Sequence, residues 1–85
     1  MKVQRRKVTD ELTRDGETAL LVDGQLVRLS ELSALVYALT RQPTEVHQLA
    51  RDLESRFGAP ADRSSLAATK DAVADLVHHG VLKEC

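Results

Sequence analysis

Two short apolar runs, Thr18–Val22 and Gln25–Leu29, flank the dipeptide Asp23-Gly24. This is a strong local hairpin signal, because a two-residue type I′ turn needs positive φ at both central positions, which Asp and Gly tolerate. Such a turn fixes the pairing. Val22 faces Gln25, Leu21 faces Leu26, Leu20 faces Val27 and Ala19 faces Arg28. One face then carries Leu20, Val22, Val27 and Leu29, the expected core side, and the other carries Ala19, Leu21, Leu26 and Arg28. An apolar Leu21–Leu26 pair on the outer face is unusual in so small a sheet. The expectation is that the N-terminal strand covers it; the alternative leaves it for a partner.

Beyond Leu29 the period changes to that of a helix. Ser30 is an N-cap residue with Glu31 in the first turn, and Leu32, Leu35, Val36 and Leu39 recur at i, i+3, i+4 and i+7. Pro43 ends this helix, predicted over 30–41, by forcing Gln42 out of the α region. Thr44 is expected to cap a second helix over 44–57 whose stripe is Val46, Leu49, Ala50, Leu53 and Phe57, stopped by Gly58 and Pro60. After a loop at 59–63, Ser64 or Ser65 starts a third helix over 64–79 with Leu66, Thr69, Val73, Leu76 and Val77 on one side. Gly80 stands at its left-handed C′ position, so that Val81 closes a Schellman contact on Leu76.

The N-terminal residues are less patterned. Val3–Val8 is read as a short, charged first strand within a basic arm (1–8), and polar Thr9–Gly16 as a loop or turn. The expected fold class is therefore α+β and winged-helix-like: a three-stranded antiparallel β-meander followed by three α-helices, in one domain over 1–85.

Composition narrows the picture. At 85 residues there is room for one modest core, and 42% hydrophobic content argues against disorder. With Tyr37 and Phe57 the only aromatic residues, that core must be aliphatic. The net charge of −1 favours neither nucleic acid nor an acidic membrane. It is unevenly spread: Lys2, Arg5, Arg6 and Lys7 give the first eight residues +4, leaving the other 77 with eight basic against thirteen acidic residues. The lone cysteine, Cys85, precludes an internal disulfide and fits a reducing cytoplasm, where the protein is expected to reside. No apolar stretch approaches the roughly 20 residues that span a bilayer.

Enzyme signatures are missing: no phosphate-cradling Gly-rich loop, no paired-Cys or His-x-x-x-His metal spacing and no nucleophile elbow. His78 and His79 are adjacent, hence about 100° apart on a helix, and suit its negative C-terminal end better than a shared metal. His47 lies beside the apolar stripe of the second helix as a boundary residue. No catalytic residue, metal or cofactor is expected. The helix order makes a DNA-binding winged-helix regulator the rival reading. Against it, helix three offers Lys70 but also Asp71 and Asp75, and the preceding loop is about seven residues, longer than a helix-turn-helix turn.

Peptide binding fits better. In a meander ordered 1-2-3 the third strand has a free edge, whose unpaired N–H and C=O groups can template an added strand. Proline does not block Gln25–Leu29, and Arg28 is its single charge. In the competing arrangement Val81–Lys83 or a helix covers that edge.

The run from Thr18 to Leu39 resembles the hairpin and first helix of PqqD-like proteins, also called RiPP recognition elements. Thr44-Glu-Val-His-Gln-Leu-Ala-Arg-Asp-Leu, Phe57-Gly-Ala-Pro and Ala74-Asp-Leu-Val-His-His-Gly-Val-Leu are similar to the family's second helix, its exit and its closing segment. The likeness spans residues 8 to 83 and consists mostly of apolar spacings. It implies a non-catalytic, cofactor-free peptide chaperone of natural product biosynthesis. Such a protein binds the leader of a ribosomally made precursor peptide and presents it to a radical SAM maturase or, for lasso peptides, a leader protease. It further implies strand addition at Gln25, Leu26, Val27, Arg28 and Leu29, with Lys70, Val73 and Val77 of helix three facing the leader, in a monomer or weak homodimer without nucleic-acid or membrane partners. Ser30 stands where family members often have Asn, Arg41-Gln42-Pro43 replaces an Asp-Gly, and the third strand lacks the aromatic of lasso-pathway members.

Overall fold

The computed structural model describes all 85 residues. The elements run β1 (Lys2–Arg5), β2 (Asp10–Arg14), β3 (Glu17–Val22), β4 (Gln25–Leu29), α1 (Glu31–Leu39), β5 (Thr44–Glu45), α2 (Val46–Phe57), α3 (Ser65–His78) and β6 (Leu82–Glu84). The fold is α+β, with two three-stranded antiparallel sheets, ordered β2-β3-β4 and β5-β1-β6, around three helices. No helix is long and apolar enough to cross a membrane.

The central hairpin has the expected register, from Val22↔Gln25 to Ala19↔Arg28. Asp23 and Gly24 take φ of 49° and 79°, the mirror-image turn whose twist matches the strands. The meander's first strand, however, is β2 and not Val3–Val8. Asp15-Gly16 makes a second turn of the same kind, with φ of 53° and 80°, and pairs Arg14 with Glu17. All five residues of β2 are exposed. With no buried residue of its own, the strand needs no apolar alternation, so its polarity resembles that of a loop.

The N-terminal strand serves the other sheet. It is shorter than expected, Lys2–Arg5, and pairs with β5 on one side and β6 on the other. Fully buried Val3 anchors it, while Val8 packs half-buried against the core. Thr44 does not cap α2: it lies in β5, and its hydroxyl donates to the carbonyls of Gln42 (2.8 Å) and Leu39 (3.3 Å). The strand keeps Thr44 and Glu45 extended, so Glu45 becomes the N-cap without a side-chain bond. The first helical N–H, that of Val46, donates instead to the Met1 carbonyl at 3.0 Å.

The other caps follow the sequence. Ser30 and Ser64 hydroxyls accept from the N–H groups of Ser33 and Ala67, both at 3.1 Å. Past α3, Gly80 (φ 76°) donates to Val77 and Val81 to Leu76 (2.9 Å), which is the doubly bonded Schellman ending. The reversal directs Val81 and Leu82 into the core. That core joins Leu20, Val22 and Leu29 of the meander to Val36 and Tyr37, Val46, Leu49 and Leu53, Val73 and Leu76, to Val81 after α3, and to Val3 and Leu82 of the second sheet. It is aliphatic except for Tyr37, which takes a core place where Leu39 was expected; Leu39 stays 36% exposed. Phe57 is exposed at the end of α2. Buried Thr40 and Thr69 bond their hydroxyls to helical carbonyls, so no buried side-chain polar atom lacks a partner.

Candidate functional site

In a hairpin closed by a two-residue turn, the residues flanking the turn exchange both backbone hydrogen bonds, and the bonding alternates outward from there. Gln25, Val27 and Leu29 therefore bond to Val22, Leu20 and Thr18, their register partners. Leu26 and Arg28 turn their N–H and C=O groups the other way. The opposite side of β3 agrees: Leu21, the partner of Leu26, accepts from Thr9 at 2.9 Å on its β2 side. Since β4 pairs with β3 alone, two donors and two acceptors line an open edge.

Neither a strand nor the C-terminal segment closes that edge. Residues 82–84 form β6 and pair with β1, where Arg5 faces Leu82. Among the helices, β4 packs chiefly on α1, which buries Leu29. Along β4 the side chains alternate as the register requires. Val27 is half-buried and Leu29 buried on the core face, whereas Leu26 and Arg28 are exposed on the outer face; Gln25 is exposed beside the turn.

The outer face is not covered by the N-terminal strand, contrary to expectation. Leu26 is 59% exposed and Leu12 of β2 is 60% exposed, with Leu21 and Ala19 half-buried between them. In register terms Asp10, Leu21 and Leu26 form one row across the sheet, and Leu12, Ala19 and Arg28 the next. A broad open hollow of about 990 Å³ runs from this side round the end of the sheet to the start of α1, lined by Leu12, Leu26, Arg28, Leu29, Ser30 and Glu31 among others. Sequence reasoning missed Leu12 because it lay in the segment read as a loop. The repeated Asp-Gly signal at residues 15 and 16 was the clue to it.

Arg28 has no carboxylate within ion-pair distance; the ion pairs present are Met1–Glu45, Arg63–Asp71 and His79–Asp75. In the ladder the carboxylate nearest to it on the outer face, Glu17, stands directly opposite Arg14.

The helix-three residues of the expected site are placed differently. Val73 is 1% exposed and belongs to the core, out of reach of a ligand unless packed side chains are displaced. Lys70 is exposed and Val77 is 39% exposed, on the same flank as Val73. The main packing partners of α3 are α2, α1 and β6. The structure thus gathers Gln25–Leu29 on one edge, while Lys70 and Val77 are exposed on α3 and Val73 is buried.

The two sheets are bridged at Tyr37. The Arg5 guanidinium lies 4.6 Å from the centre of its ring, a cation–π contact. Burial pushes the Tyr37 hydroxyl above its usual range and the Glu11 charge adds to this, while Arg5 opposes it. No three His, Cys, Asp or Glu side chains gather in a metal-binding group. His79 turns its Nδ1 to the Asp75 carbonyl at 2.8 Å, at the end of α3, and His78 meets it edge-to-face.

Neither a family model, nor a curated protein, nor a solved structure matches this chain.

Proposed function

We propose that this protein is a non-catalytic, PqqD-like peptide-binding domain that takes up the leader of a ribosomally made precursor as an added strand along β4. It then presents the precursor to a modifying enzyme or leader protease. The observation that carries this reading is the open edge of β4, where the N–H and C=O groups of Leu26 and Arg28 have no partner strand. An added strand forms up to four backbone hydrogen bonds there and extends a three-stranded sheet to four. Tethering a flexible precursor beside an enzyme raises its local concentration, so the domain needs no reactive group of its own. The sequence likeness between residues 8 and 83 supports the same assignment. Lys70 and Val77 remain candidate contacts for a leader long enough to reach α3; Val73 supports them from the core.

The DNA-binding alternative has less support. The exposed side chains of α3 include Asp71 and Asp75 beside Lys70, and Arg63 is held by Asp71. A duplex needs cations along its phosphates.

The test is an NMR titration of the isotopically labelled protein with the leader of the precursor encoded beside its gene. Saturable shifts along Gln25–Leu29 support strand addition. Absence of shifts there at high peptide concentration, or binding to duplex DNA with a steep salt dependence, sinks it.

A further inference from the structure

The register of the meander also specifies what an added strand must carry. This inference rests on the strand-addition reading and concerns the chemistry of the bound segment. A strand on the β4 edge is in line with both outer-face rows. Its residue beside Leu26 continues the row Asp10–Leu21–Leu26, and its residue beside Arg28 continues the row Leu12–Ala19–Arg28. Those two peptide residues are two positions apart, whichever way the segment runs, because side chains on one face of a strand recur with period two. The residue between them points inward beside Val27, which is half-buried against the core.

Each position meets a different surface. The first meets Leu26, 59% exposed and adjoining half-buried Leu21, so an aliphatic side chain there covers apolar area now in water. The other meets Arg28, a cation with no carboxylate within ion-pair distance; Glu17 stands one row away, in register with Arg14. Asp15 and Glu31 line the same hollow, but neither lies within ion-pair distance of Arg28.

We infer that the segment bound by this protein is an extended peptide carrying an acidic residue two positions from an aliphatic one, with a further apolar residue between them. The acid pairs with Arg28, the aliphatic side chain packs on Leu26, and the intervening residue packs beside Val27. Opposite charges across neighbouring strands at a solvent-exposed edge account for about a two- to fivefold preference.

A displayed library of random 12-residue peptides, selected on the wild-type protein and separately on Arg28→Glu, reads this preference directly, whatever the natural ligand. Arg28 is exposed, so the variant is expected to keep the wild-type amide spectrum. Binders of the wild type are expected to shift the Leu26 and Arg28 amides and to be enriched in Asp or Glu two positions from Leu, Ile or Val. Binders of Arg28→Glu are expected to carry Lys or Arg at that position instead. Binders that shift these amides without an acidic preference, or with one that Arg28→Glu leaves unchanged, overturn this inference while strand addition stands. Binders that leave β4 unshifted, or a library that yields none, overturn strand addition and this inference with it.

Discussion

Proline substituted along β4 separates the side of the strand that holds the fold from the side that is open. By register, the Val27 N–H donates to the carbonyl of Leu20, a residue with no exposed surface. Val27→Pro removes that donor and strands the carbonyl in the core. The lost bond is worth about 1 kcal/mol and the unsatisfied acceptor about 1–3 kcal/mol more, before any clash of the ring with β3. A domain of this length has roughly 4–13 kcal/mol of total stability. Val27→Pro should therefore remove a large share of it and leave a substantial unfolded population. Arg28→Pro differs by one position. The Arg28 N–H faces water, so no ladder bond is lost, and an extended edge position tolerates the ring. Its effect on stability should stay within about 1 kcal/mol, while it deletes one edge donor and obstructs an incoming strand. Urea titration followed by circular dichroism measures both variants, and the amide spectrum shows whether Arg28→Pro keeps the native fold. Equal destabilisation by the two, or a larger effect at residue 28, would refute the assigned alternation and with it the open edge. A natively folded Arg28→Pro that still takes up peptide as tightly as the wild type would refute strand addition.

Four other substitutions probe the backbone and the packing. Gly80→Ala should cost about 1–2 kcal/mol for its left-handed backbone and more for the Val22 methyl 3.3 Å from the new Cβ. Gly16→Ala, at φ 80° with open space around it, should cost the backbone term alone, as urea midpoints will show. Tyr37 has its hydroxyl pushed above its ordinary value of 10.0, mainly by burial, so its neutral form is favoured in the folded state. The resulting stabilisation is complete below pH 10.0 and is lost as pH rises through the higher folded-state value; Tyr37→Phe should abolish that part of the alkaline loss in urea midpoints measured across this range. Leu12→Thr, at a 60% exposed site, should change stability by no more than about 0.5 kcal/mol in a thermal melt, because the side chain packs on no core residue.

Short-range chemistry dictated a good part of this molecule. Asp23-Gly24 set the hairpin register to the residue, Ser30 and Ser64 set two helix starts, and Gly80 set the last helix's end, because each acts through atoms a few residues apart. The core face of Leu20, Val22 and Leu29 followed from the register alone. What the sequence left hidden depended on partners distant along the chain. β2 is a strand because Asp15-Gly16 folds it onto β3, and its exposed residues carry no periodicity to reveal this. β1 joined a second sheet because residues 44–45 and 82–84, some forty and eighty residues away, offered their edges. That same choice drew Thr44 away from α2, kept the C-terminal segment off β4 and left Leu12 and Leu26 uncovered. The candidate site was thus half legible: its strand and facing residues come from a local turn, whereas its openness was decided by where the chain's two ends found their pairing.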